Sequence, residues 1–474
     1  MTARVFSLCL FFGTLRDEIE TMNTVNLTLH RCLGGSELPA RSNTMPLIAN
    51  TGLMKVPAPA IGTILAALGV LQISIASAGP IDRVIHVSVD GLRPDAITAL
   101  GPANLPNFYR MRTEGAFTDN ARSDYDCTET LPVHTTQLTG RGVLGATGHE
   151  WTSNSDPDDG VTLASNKGSY IAGVFDVAHD HGLRTGVYVG KSKFSLFADS
   201  WNASNGAVDV TGDDNGQNKI DRYALSGDSA DMVNRMAADM TTRNLHYVFI
   251  HLSDPDTIGH ASGWDPTPGS PYSDTIKAMD SRLGVIFSLV TTNAQLAGRT
   301  ALVLTADHGG YLKAHADATL PQDYTVPFYV WGPGVIAGGP LYTLNSANRL
   351  DPGTGRPTYS APVQPIRNGE AANVCLKLLS LPPVPGSTID AAQDLALTVL
   401  PPNDFCRVDT GSGTALIFST MTNVLYDVQA RNSFNSGNWM NLATNLVGTG
   451  GVVTNLDTAG ATLSQRFYRL RVHF

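Results

Sequence analysis

The sequence predicts an α/β fold, a mostly parallel central sheet with helices on both faces, followed by a small antiparallel β module. Three observations carry this expectation. Short apolar runs alternate with helix-periodic segments from Ile81 to Leu379. Two of those runs, ending at Val89 and Thr305, lead straight into Asp90-Gly91 and Asp307-His308-Gly309, as strands of a parallel sheet do at their carboxyl ends. After about Val408 the helical period nearly vanishes, and runs of alternating apolar residues are divided by Gly, Asn and Thr.

In chain order, Ile81–Val89 reads as a central strand, and Leu105–Glu114 as a helix stopped by Gly115. Tyr170–His181 has helical spacing and precedes a strand at Thr185–Val189. Residues 195–224 are rich in Asn, Asp and Gly with little periodicity, and read as an insertion near the substrate mouth or a plain surface loop. Ser229–Thr241 is a helix before the strand Tyr247–His251, and Ile276–Thr291 a helix before the strand Ala301–Thr305. Val326–Val330 continues the sheet, and Ala371–Leu379 is the last helix of the unit. Short strands are then expected around 415–418, 425–429, 450–453 and 466–470, with Trp439 and Tyr468 packing the core of the module.

With 474 residues the chain has room for more than one domain. Residues 79–405 are taken as one unit and 406–474 as an accessory β domain. Before them, Lys55, an apolar run from Ile61 to Ile75 and Ala76-Ser77-Ala78 have the layout of a secretory signal over residues 54–78, cleaved after Ala78. The 53 residues ahead of Met54 form no clear element and suggest that translation starts at Met54; an uncleaved anchor or a buried helix is the competing reading. Cleavage implies a periplasmic or secreted protein with no stable membrane span. Export would permit a Cys375–Cys406 disulfide, with an unpaired thiol as the alternative. The net charge of -10 argues against a nucleic-acid polymer as partner and requires any phosphate site to supply its own local cations. Oligomeric state leaves no trace in the sequence.

Five stretches carry chemistry: Val-Asp-Gly at 89–91, Thr-Leu-Pro-Val-His at 130–134, Pro-Asp-Thr-Ile-Gly-His at 255–260, Asp-His-Gly at 307–309, and His315. Asp90, Asp256, Asp307, His260, His308 and His315 are enough to hold two close cations, with the Thr130 hydroxyl as nucleophile. A threonine hydroxyl is a poor nucleophile at its ordinary pKa, and a bound dication makes it a useful one. Pro132 favours placing Thr130 at a helix start. His251 and Asp254 lie nearby and read as strand-end or supporting groups. Taken singly, His260 and His315 could each be ordinary packed or surface histidines.

Together these stretches closely resemble the alkaline phosphatase superfamily, above all its nucleotide pyrophosphatase/phosphodiesterase-like branch, over residues 80–340. The resemblance implies an alkaline phosphatase-like sheet and two zinc ions. One would sit on Asp256, His260 and His315, the other on Asp90, Thr130, Asp307 and His308. It implies a phosphothreonine intermediate at Thr130 and hydrolysis of phosphodiester or pyrophosphate bonds in a small phosphate ester. Asn154, five residues after His149, matches the phosphate-contacting asparagine of the pattern. Three departures stand out: Val133 replaces the usual Asn, His149-Glu150 replaces His-Gly, and Gly-Lys191-Ser-Lys193 resembles the Lys-x-Arg pair of some monoesterases with Lys for Arg. Lys191 and Lys193 read equally as substrate contacts or as solvated lysines.

Phosphomonoesterase activity at the same site is therefore a competing expectation, and a non-catalytic metal-stabilised binding or adhesion protein is another. A sulfatase is disfavoured because Thr130 stands where Cys or Ser would be needed, and a phosphoglycerate mutase-like isomerase because that chemistry normally uses serine. The C-terminal module, through Phe467-Tyr468-Arg469, resembles small β domains attached to exported proteins of some environmental bacteria.

Overall fold

The computed structural model describes residues 81–212, 214–398, 406–410, 412–421, 424–433, 438–460, 463 and 465–473. The signal-like segment and its expected cleavage point lie outside these residues, as does the chain before Met54. Among the described residues, no helix is long and apolar enough to cross a membrane.

An eight-stranded sheet organises the larger part of the chain. Its strands are β1 (Arg83–Val89), β2 (Ala116–Arg122), β3 (Thr185–Val189), β4 (Arg222–Leu225), β5 (Tyr247–Leu252), β6 (Thr300–Thr305), β7 (Thr325–Trp331) and β8 (Gly339–Pro340). The order is β4-β3-β5-β1-β6-β7-β2-β8. The pairs β4–β3, β3–β5, β5–β1, β1–β6 and β2–β8 are parallel, and only β6–β7 and β7–β2 are antiparallel. The central strands read as continuous apolar runs because both faces are covered: every residue of β1, β3, β5 and β6 is buried.

One helical layer is centred on Pro271–Thr292, which touches helices Pro94–Asn104, Pro106–Glu114, Ser229–Thr242 and Asp254–Ser262. Ser270 caps that long helix through the Ser273 N–H, and Ile276, Met279, Leu283, Ile286, Phe287 and Val290 form its buried stripe. On the other face, helix Ala371–Leu378 packs on helices Thr130–Thr139 and Val174–Asp180 and against β1 and β6. Residues 195–224 are more ordered than their composition suggests. They hold a helix at Ser195–Ser200 and run into β4 at the sheet edge.

The C-terminal strands are β9 (Cys406–Thr410), β10 (Gly413–Ser419), β11 (Leu425–Arg431), β12 (Met440–Val447), β13 (Val452–Asp457) and β14 (Phe467–His473). They form two antiparallel sheets, β13-β10-β9 and β12-β11-β14. Leu416, Phe418, Val424, Tyr426, Val428, Ala430 and Tyr468 make their shared core. Tyr468 is thus where the sequence placed it, but Trp439 is not. Trp439 is half-buried, lies just before β12 and stands outside that core. Its ring is covered instead by the guanidinium groups of Arg469 and Arg431, at 4.3 and 5.0 Å. The expected Cys375–Cys406 disulfide is also absent. Both cysteines are free, Cys375 buried within its helix and Cys406 exposed at the start of β9.

Candidate metal centre and nucleophile

Four neighbouring parallel strands, β3, β5, β1 and β6, end on one edge of the sheet, and the segments leaving those ends build the site. β1 delivers Asp90, β6 delivers Asp307 and His308, β3 delivers Lys191, and β5 leads into the helix Asp254–Ser262. That helix was not foreseen. Pro255 near its start and the four-residue spacing of Asp256 and His260 place both ligands on one face.

Two triads result. In one, Asp256, His260 and His315 bring ligand atoms within 4.8 Å of one another; Asp90, Asp307 and His308 do so in the other. The rings of His308 and His315 stack with centroids 3.6 Å apart, so the triads adjoin. Each aspartate keeps one buried oxygen without a hydrogen-bond partner: Asp90 Oδ1, Asp256 Oδ1 and Asp307 Oδ2. Each histidine donates Nδ1–H to a backbone carbonyl, His260 to Lys313, His308 to Gly309 and His315 to Thr128. That fixes the tautomer and turns the Nε2 lone pair inward, 3.4, 3.1 and 3.7 Å from an aspartate oxygen. Orphaned carboxylate oxygens facing oriented imidazole lone pairs are a donor set that fits divalent cations.

The electrostatics agree. Burial and the neighbouring Asp90 push the Asp307 carboxyl above its ordinary range. Burial pulls Asp90 the same way, but the Lys191 ammonium and the His251 N–H outweigh it and hold Asp90 well below. Burial would lower His308, yet Asp307 and Asp90 raise it to about 9, while burial and His308 depress His315 to about 2. Like charges are crowded into a dry pocket, which is the strain a bound cation relieves.

Thr130 opens helix Thr130–Thr139, buried, with its hydroxyl 3.5 Å from His308 Nε2. Three devices hold it there. His134 donates Nδ1–H to the Thr130 carbonyl and accepts from the Ser88 hydroxyl. Asn154 Oδ1 accepts the Leu131 N–H at 3.0 Å. Thr128 donates its hydroxyl to the His315 carbonyl, returning the His315 bond. Lys193 also donates to Asn154 Oδ1, at 3.0 Å, and Lys191 lies 2.6 Å from both Asp90 Oδ2 and Asp256 Oδ2. All ten sequence-nominated residues therefore converge, and the two lysines are engaged rather than simply solvated.

Sequence reasoning gave His134, Thr128 and Trp264 no role. The indole of Trp264 donates to the Gly91 carbonyl and fills the space between Gly91, Gly259 and Gly310. Gly91 needs its positive φ of 71° for the turn after Asp90, whereas Gly259 and Gly310 are required because a Cβ would meet the indole at 2.2 and 2.3 Å. Glycines within the 89–91 and 255–260 stretches and directly after 307–309 were the available signal for one bulky side chain at their junction.

Residues 84–311 match the family described as type I phosphodiesterase / nucleotide pyrophosphatase. Over that span the chain is similar to this family, and the match takes in Asp90, Thr130, Asp256, His260, Asp307 and His308. It is 35% identical over 88 residues to GPI ethanolamine phosphate transferase 1 of Mus musculus, covering 18% of this chain and 9% of that protein. The chain thus spans under a tenth, 9%, of the length of the curated relatives it matches. Among solved structures, an inactive murine ectonucleotide pyrophosphatase/phosphodiesterase 5 in complex with AMP is 15% identical, with a TM-score of 0.45 over 66% of this chain and 99% of that one. A protein in the alkaline phosphatase superfamily from Vibrio parahaemolyticus is 11% identical, with a TM-score of 0.43 over 77% and 83%.

Proposed function

We propose that this protein is an exported, metal-dependent phosphoric ester hydrolase that uses two zinc ions and cleaves phosphodiester or pyrophosphate bonds through a phosphothreonine on Thr130. The observation that carries the reading is the meeting of two ligand triads beside one buried threonine hydroxyl at a helix start.

Divalent cations bound there would supply the positive charge that an in-line phosphoryl transfer needs and would activate the hydroxyl. The protein's own groups do the rest. Thr130 Oγ forms the new bond to phosphorus as the ester oxygen leaves, and water later attacks the phosphothreonine to return the free hydroxyl. His134 and Asn154 keep the helix start where that oxygen can attack. Asn154 Oδ1 is occupied by Leu131 and Lys193, so its amide nitrogen is the end that donates to a nonbridging oxygen. The site opens to solvent at His260, whose side chain is 49% exposed, and at Lys191, 19% exposed.

Phosphomonoester hydrolysis is the second reading, favoured by one observation: Lys191 and Lys193 both reach the site, and a terminal phosphate dianion has more charge to meet than a diester. Lysine offers a point charge rather than a fork, so it does not decide the matter. Rates on p-nitrophenyl phosphate, bis-p-nitrophenyl phosphate and a nucleoside triphosphate, measured with zinc-loaded protein, separate the two. Wild-type turnover by the Thr130→Ala protein would defeat both.

A further inference from the structure

The geometry points to His251 as a positioning residue that dictates which oxygen of Asp90 faces the cation, and so sets the affinity of the Asp90–Asp307–His308 triad for its metal. The inference rests on the two-cation reading above.

His251 lies on β5, one strand from Asp90, and is fully buried. Its Nδ1 accepts the Gly190 N–H at 3.1 Å, so Nδ1 carries no proton. The hydrogen must then sit on Nε2, which donates to Asp90 Oδ2 at 2.9 Å. The ring cannot turn away, because Phe194 and His134 pack on it with centroids at 4.5 and 4.9 Å. The Gly190 bond is itself possible only because position 190 has no side chain: a Cβ there would stand 2.5 Å from Ser253 Oγ and 3.3 Å from His251 Nδ1. The imidazole thus ties the segment after β3 to the carboxylate after β1.

The consequence falls on Asp90. Its Oδ2 receives both His251 and Lys191, while Oδ1 has no hydrogen-bond partner and stands 3.4 Å from His308 Nε2. A carboxylate free to rotate would offer either oxygen; this one offers Oδ1. The three histidines of the triads are oriented by backbone carbonyls, and His251 does the corresponding work for an aspartate. Outer groups of this kind are worth about 10–100-fold in metal affinity.

Two substitutions divide the imidazole between its bonds. In His251→Asn the side-chain oxygen replaces Nδ1 and keeps the Gly190 bond, but the side chain no longer reaches Asp90, whose Oδ2 keeps Lys191 alone. In His251→Gln the amide nitrogen reaches the place of Nε2 and keeps the Asp90 bond. Zinc titration of the metal-free proteins, with circular dichroism and thermal unfolding to compare their folds, reads the result. Wild type should take up two ions. His251→Asn should bind one of them about 10–100-fold more weakly, while His251→Gln stays within a few-fold of wild type. Normal uptake of both ions by His251→Asn, or equal losses in the two variants, overturns the inference and leaves the two-cation reading standing. Fewer than two ions in wild type removes that reading, and the inference with it.

Discussion

Gly259→Ala is the substitution whose effect is set most directly by the packing beneath the metal centre. The added Cβ would stand 2.2, 2.4 and 2.5 Å from three atoms of the Trp264 indole, about 1.2 Å short of a normal contact. The ring has little room to retreat: it is only 2% exposed, Gly310 also packs closely against it, and its N–H is held by the Gly91 carbonyl. Alanine favours a helix over glycine by about 1 kcal/mol, whereas forced overpacking of a tight core costs about 1–3 kcal/mol. With the ring buried and tethered the upper end applies, for a net loss of about 1–2 kcal/mol and a few degrees in Tm. The larger effect should be on function, since Asp256 and His260 ride on the same helix and a shift on the order of 1 Å at a reacting centre costs about 100-fold. Thermal unfolding, zinc titration and turnover of the variant test this. Adding Trp264→Leu should recover part of the lost zinc affinity, because removing the obstacle removes the cause. Wild-type Tm and zinc affinity in Gly259→Ala alone would refute the reasoning.

Further outcomes are expected elsewhere. Thr130→Ala should lose phosphoryl turnover by at least about 1000-fold while still binding zinc, as activity assays beside metal analysis would show. Chelation should abolish activity and lower Tm, and zinc at about 100 times its dissociation constant should restore about 2.7 kcal/mol per site. Away from the site, burial and Glu370 push the Asp390 carboxyl up to about 7. A raised acid stabilises the fold fully below its ordinary pKa of about 3.8, and that contribution is lost as pH rises through about 7. Asp390→Asn, acceptable at a φ of 50°, should therefore flatten the fall in Tm between about pH 4 and 7. Equal pH slopes for the two proteins would count against it.

The sheet and the site were legible for the same reason. A parallel strand buried on both faces must be apolar throughout, so Asp90 and Asp307 mark where two strands end, and those ends are where such sheets bind ligands. Metal ligands are few, chemically distinctive and confined to such ends, so Asp256 and His260 could be named before their helix was recognised, and His315 with them. What stayed hidden depends on partners far off in sequence. β2 is a half-buried strand with Asp119 and Asn120 at its bulge, and nothing local distinguishes it from a loop. β12 carries mostly exposed residues, and Trp439 was misjudged because its face depends on pairing with β11. The Cys375–Cys406 pairing failed likewise: export permits a disulfide, but only the burial of one thiol and the exposure of the other decide it.

Whether two cations flank the Thr130 hydroxyl is tested most directly by diffraction from crystals of the zinc-loaded protein, collected at the zinc absorption edge. Two anomalous peaks are expected, one among Asp90, Asp307 and His308 with Thr130 Oγ beside it, the other among Asp256, His260 and His315. A single peak, or zinc bound only away from these six side chains, would contradict the two-cation centre.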